Sequence, residues 1–140
     1  MAFKLNVNQA LVITGWTNTA AKSINGQTIH HYFQIDIDGK YDKHLVLNKC
    51  SKLDYIIIDE VGLMQACMYE ILYYMHLHSS VKFILLGDYE QLPGVEKKSY
   101  DYLNSTVLKE LVGSNIQVLN VNHRCPPELF DRVDELTSQD

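Results

Sequence analysis

Four short runs of almost unbroken apolar character punctuate the chain: "ALVIT" (10–14), "YIIID" (55–59), "KFILLGD" (82–88) and "IQVLNV" (116–121). All are rich in Ile, Val and Leu. Strands covered on both faces have this character, because neither side of the pleat meets water. Stretches with helical spacing lie between them. "LMQACMYEILYYMHL" sets Met64, Met68, Ile71, Leu72 and Met75 on one face at intervals of three and four. "STVLKELVG" supplies Ser105 as an N-cap and Gly113 as a stop, and "PPELFDRVDEL" opens with prolines suited to a first helical turn. The alternation predicts an α/β layer domain with a parallel sheet at its centre.

One segment departs from this pattern. "FQIDIDGKYDKHLVL" (33–47) has Asp38-Gly39 between two alternating stretches, which predicts a β-hairpin insertion. Its aspartates, Asp36, Asp38 and Asp42, do not make a calcium loop. That loop needs Asp or Asn fifth, Gly sixth and Glu twelfth, and those places hold Lys40, Tyr41 and Leu47.

A length of 140 residues suits one domain with a real core, and 46% apolar with 21% charged residues is an ordinary globular balance. No apolar stretch approaches a membrane span, and "MAFKLNVNQ" lacks a signal-peptide layout. A soluble, intracellular protein with no membrane partner is expected. Cys50, Cys67 and Cys125 are scattered, which fits reduced structural thiols better than disulfides or zinc. His76 and His78 are two apart and share no helix face, so they do not form a zinc pair. A net charge of −5 counts against a surface that grips nucleic acid all over, while leaving room for a narrow binding face.

The chemistry concentrates where the strands end. In an open parallel sheet, ligands sit beyond the carboxyl ends of the strands. "YIIIDE" delivers Asp59 and Glu60 to that edge, and "FILLGD" delivers Gly87 and Asp88, with Gln91 three residues on. Adjacent carboxylates there suit a metal-bound polyanion: one holds Mg²⁺ and its neighbour polarises an attacking water. The plainer role is to cap the following helix, where carboxylates favour the dipole. Two strands ending alike favour the site over the cap.

These residues resemble a known family. "IIIDEVGLM" followed by "ILLGDYEQLPGV" is similar to the Walker B motif and motif III of superfamily 1 DNA helicases of the RecD-like and PIF-type group. "ALVITGWTNTAAKSINGQTIHHYF" looks like that group's motif Ia region, and "VLNVNHRCPPELFDRVDEL" resembles motif IV. Together they cover roughly residues 10 to 136. The resemblance implies a RecA-like P-loop NTPase core that couples Mg-ATP hydrolysis to translocation on single-stranded DNA and duplex unwinding, in replication, recombination and repair. It implies that Asp59 binds Mg²⁺, that Glu60 activates the hydrolytic water, and that Asp88 belongs to the nucleotide site. Gln91 would couple the γ-phosphate to DNA, and Arg124 would stabilise charge on that phosphate. Thr14, Thr17, Thr28 and His30 sit where the family lays single-stranded DNA, with Trp16 beside them as core or as a base-stacking ring. The chain departs from the usual pattern at Gly62, at Gly94 after Pro93, and at Pro126 and Pro127 after Arg124.

The phosphate loop G-x-x-x-x-G-K-[ST] is not found in these residues. Only Gly39 precedes a lysine, and the residue five before it is Gln34. The sequence therefore predicts a single partial RecA-like domain over 1–140, without the Walker A strand and loop and without the second RecA-like domain. Such a chain is not expected to hydrolyse ATP at a useful rate alone. By analogy with the family, the Walker A strand lies in mid-sheet, and its loss costs about 1–3 kcal/mol for each unsatisfied backbone group. Unless "FKLNV" (3–7) fills the gap, poor stability is expected. Two other classes stay open: a non-catalytic single-strand-binding remnant or regulatory module, and a different P-loop nucleotide hydrolase on the same fold, such as an RNA helicase.

Overall fold

The structure, a computed structural model, describes residues 10–88, 105–119 and 121. Strand β1 spans Leu11–Gly15, β2 Gln27–Thr28, β3 Tyr55–Asp59 and β4 Lys82–Leu85. Helices α1 (Asn18–Ser23), α2 (Ile29–Phe33), α3 (Lys43–Cys50), α4 (Ala66–His78) and α5 (Thr106–Leu111) connect or flank them. A single 3₁₀ turn, Val61–Leu63, follows β3. The strands form one sheet in the order β2-β1-β3-β4, and every pairing is parallel. Three of the four apolar runs thus become strands, within a residue or two at their starts.

Register explains how the core is built. Val12 pairs with Ile56 and Ile56 with Phe83, while Thr14 pairs with Ile58 and Ile58 with Leu85. Because side chains alternate, these residues share one face. Ile56 and Ile58 are fully buried there, in one cluster with Ile29 and Phe33 of α2, Val46 and Cys50 of α3, and Met68, Ile71, Leu72 and Met75 of α4. Met64 joins this core from just ahead of α4, so the periodic Met/Ile/Leu stripe packs as its spacing predicts. The opposite face is less covered than two-sided burial would require: Leu11 is 39% exposed and Ile13 38%. The helices described here lie mainly over the Ile56/Ile58 face, so apolar continuity along a strand overstated its burial.

Two expectations are corrected. Residues 33–47 form no hairpin. Gln34 takes a left-handed conformation (φ 54°) that ends α2, and Asp42 caps α3 by accepting from the amides of His44 and Leu45. The Asp38-Gly39 turn exists, closed by the Asp36 amide donating to Lys40 O at 2.9 Å, but it joins two helices. The alternation in "KHLVL" places Val46 one turn before Cys50, so the same residues serve a helix face.

The run 116–121 is not a strand at its described positions. Ile116, Val118, Leu119 and Val121 are 58–88% exposed. A strand is held by its neighbour's ladder, and no described strand pairs with this run. α5 ends as its sequence predicts, with Gly113 at φ +57° just past its last residue, while Ser105 stands at the N-cap position without a side-chain capping hydrogen bond. Segment 3–7 and "PPELFDRVDEL" lie outside the described residues.

Candidate nucleotide edge and single-strand groove

The carboxylate edge is assembled by strand register. Gly15 and Asp59 are partners at the ends of β1 and β3, and the Trp16 amide donates to Asp59 O at 3.0 Å. Beyond β4, the Leu86 amide donates to Ile58 O (2.8 Å) and the Val61 amide returns to Leu86 O (3.0 Å). The chain leading to Asp88 therefore runs directly beside the Asp59–Glu60 turn. Gly87 is required there, since a Cβ at that position would lie 2.9 Å from the Val61 nitrogen. On the far side, the Tyr69 hydroxyl donates to Val61 O at 3.0 Å and fastens the turn to α4.

Within the turn the two acids differ. Asp59 is half-buried, and its Oδ1 accepts the Glu60 amide at 2.9 Å. Glu60 is also half-buried and sits in the left-handed region at φ 62°, ψ 36°. A residue with a Cβ in that conformation costs about 1–2 kcal/mol, and the backbone turns there from β3 into the 3₁₀ turn. Among the described residues no group of three or more His, Cys, Asp or Glu side chains forms a metal cage. One or two carboxylates at a strand edge do suit Mg²⁺, which keeps waters and takes its remaining ligands from substrate phosphates. Gln91 and Arg124 lie outside the described residues.

A second feature flanks this edge. An open groove is lined by Gln27, Thr28, His30, His31, Tyr32, Gln34, Ile35 and Lys49. It contains amide, hydroxyl, imidazole and ammonium groups and no carboxylate, on a chain whose net charge is −5. Lys49 donates to the Tyr32 carbonyl, and its ammonium lies 4.8 Å from the centre of the Tyr32 ring. Burial lowers the His30 pKa below its ordinary value, so at neutral pH this imidazole is an uncharged donor and acceptor.

The four residues expected to face DNA separate in space. His30 and Thr28 line the groove, and the Thr28 hydroxyl also caps α2 by accepting the His31 amide at 3.2 Å. Thr17 caps α1, accepting from Ala20 at 3.1 Å. Thr14 is a correction: it is 0% exposed and its hydroxyl donates to Ile57 O at 3.1 Å, so β1 turns it into the core. Trp16 is half-buried against the core, with its ring 4.8 Å from that of His30. The groove also recruits Gln27, His31, Gln34 and Lys49, which sequence reasoning did not select. Lys49 had no signal to find, because α3 brings it to the groove from 17 residues beyond Tyr32.

A parallel α/β sheet with paired carboxylates at its carboxyl edge has the architecture of a RecA-like domain. Residues 2–97 match the AAA domain family, and the chain belongs to that family. No curated protein sequence matches it. Among solved structures it resembles the Pif1 helicase from Candida albicans, with TM-score 0.72, 19% identity, and coverage of 91% of this chain and 34% of that one. It also resembles Bacteroides Pif1 in complex with ADP-AlF3 and single-stranded DNA (TM-score 0.66, 18% identity, 95% and 37% coverage). Bacteroides Pif1 bound to single-stranded DNA aligns similarly (TM-score 0.65, 19% identity, 94% and 37% coverage). The resemblance to PIF-type superfamily 1 helicases is thus borne out in the fold, and the chain spans about a third of the length of those helicases.

Proposed function

We propose that this chain forms the Walker B edge and the single-strand-binding face of an ATP-dependent DNA helicase domain of the PIF type. The observation that carries the proposal is the juxtaposition of opposite chemistries on one sheet. The row Thr28–Gly15–Asp59 runs straight across β2, β1 and β3, with a carboxylate-free groove at one end and paired carboxylates at the other. Mg²⁺ bound with ATP would supply charge neutralisation on the transferring phosphate. Asp59 would hold that ion, Glu60 would accept the proton of the attacking water, and Asp88 would border the same site. Thr28 and His30 would meet the sugar-phosphate backbone of the strand without reading its sequence. Gln91 and Arg124 are proposed for γ-phosphate coupling and charge stabilisation by their place in the motifs. Pif1 structures with ADP-AlF3 and with single-stranded DNA support both ligand classes for this fold.

The test is fluorescence anisotropy of a labelled oligothymidine titrated with the 140-residue chain. Binding at low salt that weakens steeply as salt rises is expected, since phosphate contacts release counterions. His31→Glu, which places a carboxylate in the groove, should weaken it about tenfold. An oligonucleotide that never binds at low salt would remove this reading.

A further inference from the structure

We propose that Trp16 is a positioning residue that joins the single-strand groove to the carboxylate edge through its contact with His30. The inference rests on the groove being the strand-binding face. Trp16 makes one connection with its backbone and another with its ring. Its amide donates to Asp59 O at 3.0 Å, directly at the Asp59–Glu60 turn. Its indole lies 4.8 Å from the His30 imidazole, tilted by 50°, and His30 lines the groove. Both ends are held firmly. Gly15, just before Trp16, is buried and allows no Cβ, which would meet the Ala21 nitrogen at 2.5 Å. His30 is locked into the first turn of α2 by the Thr28 cap.

A backbone that close-packed cannot absorb a ring displacement locally, so movement of His30 reaches the Asp59 carbonyl through one residue. Packed elements of this kind carry coupling between sites when each has two arrangements. The left-handed Glu60, with its strained backbone, is the element able to switch, because residues in sparsely populated regions are held only by their surroundings. Burial lowers the His30 pKa below its ordinary value, so the ring meets the strand as a neutral group.

The experiment is an NMR titration of the full chain with unlabelled oligothymidine, following the His30 ring, the Trp16 indole and the Glu60 amide. Trp16 is the only tryptophan, so its indole signal is unambiguous. In the wild-type chain all three resonances should move along one binding curve. In Trp16→Leu the His30 ring should still move, while the Glu60 shift falls about twofold or more, as expected for removal of a coupling contact. His30→Gln checks this from the groove end of the contact: Thr28 should respond and Glu60 should not. A Glu60 shift undiminished in both variants, or absent in the wild type while His30 moves, overturns the coupling and leaves the groove intact. A His30 ring that ignores the oligonucleotide overturns the groove and the coupling together.

Discussion

Glu60 holds a backbone conformation that its own side chain disfavours, and the reason is local. β3 must end at Asp59, and the next residue has to reverse the chain into the 3₁₀ turn that packs beneath Gly87. Glycine would make that turn without strain, whereas a β-branched side chain would suffer most. Glu60→Val should therefore lower stability by about 1–3 kcal/mol, read from the urea midpoint. Glu60→Gly should leave the midpoint within about 1 kcal/mol of wild type, even though it removes the proposed water-activating group. Stability and chemistry would then separate at one position. The place of the adjacent "DE" at the carboxyl edge of the sheet was legible from its position after "YIII". Its left-handed second residue was not, because the need for a reversal comes from the approach of β4.

Helix caps carry much of the organisation at the scale of elements. Asp42, Thr28 and Thr17 each accept backbone amides at the start of a short helix, and these helices are too short to persist without such help. Thr28→Ala should cost about 1 kcal/mol and Thr28→Ser should recover most of it, measured by thermal denaturation of the free chain. Because Thr28 also lines the groove, a loss of oligonucleotide affinity in Thr28→Ala is meaningful only if Thr28→Ser is compared beside it. The caps also explain the misread hairpin. Asp-Gly between alternating residues favours a two-strand turn when nothing else competes. Here the Asp42 cap and the left-handed Gln34 redirect the same residues into α2 and α3, and Val46 and Cys50 then find a core to bury in. Propensity for the turn was correct, and the packing of its flanks decided what the turn connects.

For the molecule as a whole, the sheet is asymmetric. Ile58 and Ile13 are both isoleucines of central strands, yet one is fully buried under α2–α4 and the other is 38% exposed on the opposite face. Ile58→Ala should cost about 2–5 kcal/mol, and Ile13→Ala about half of that or less, compared by urea denaturation of the two variants. Equal costs would mean that both faces are packed alike. Cys50 belongs to the buried face as well, and burial pushes its thiol up to about 11. The unfolded chain then loses that proton first, so its contribution to stability declines as pH rises from about 9 toward 11.

Local chemistry was readable in the sequence wherever neighbours along the chain suffice. Strands β1, β3 and β4, the Met/Ile/Leu face of α4, the Ser105 and Gly113 ends of α5, and the carboxylates of "YIIIDE" all depend on residues a few positions apart. Tertiary structure alone decided the rest. It turned Thr14 inward, because β1 alternates and the helices cover that face. It left 116–119 and 121 outside the sheet, because a strand is fixed by a hydrogen-bonded partner that no local pattern specifies. It also brought Lys49 to a groove with His30, and Trp16 between that groove and Asp59. Contacts across parallel strands and between successive helices are set by register and packing, and residues distant in the chain meet only once both are in place.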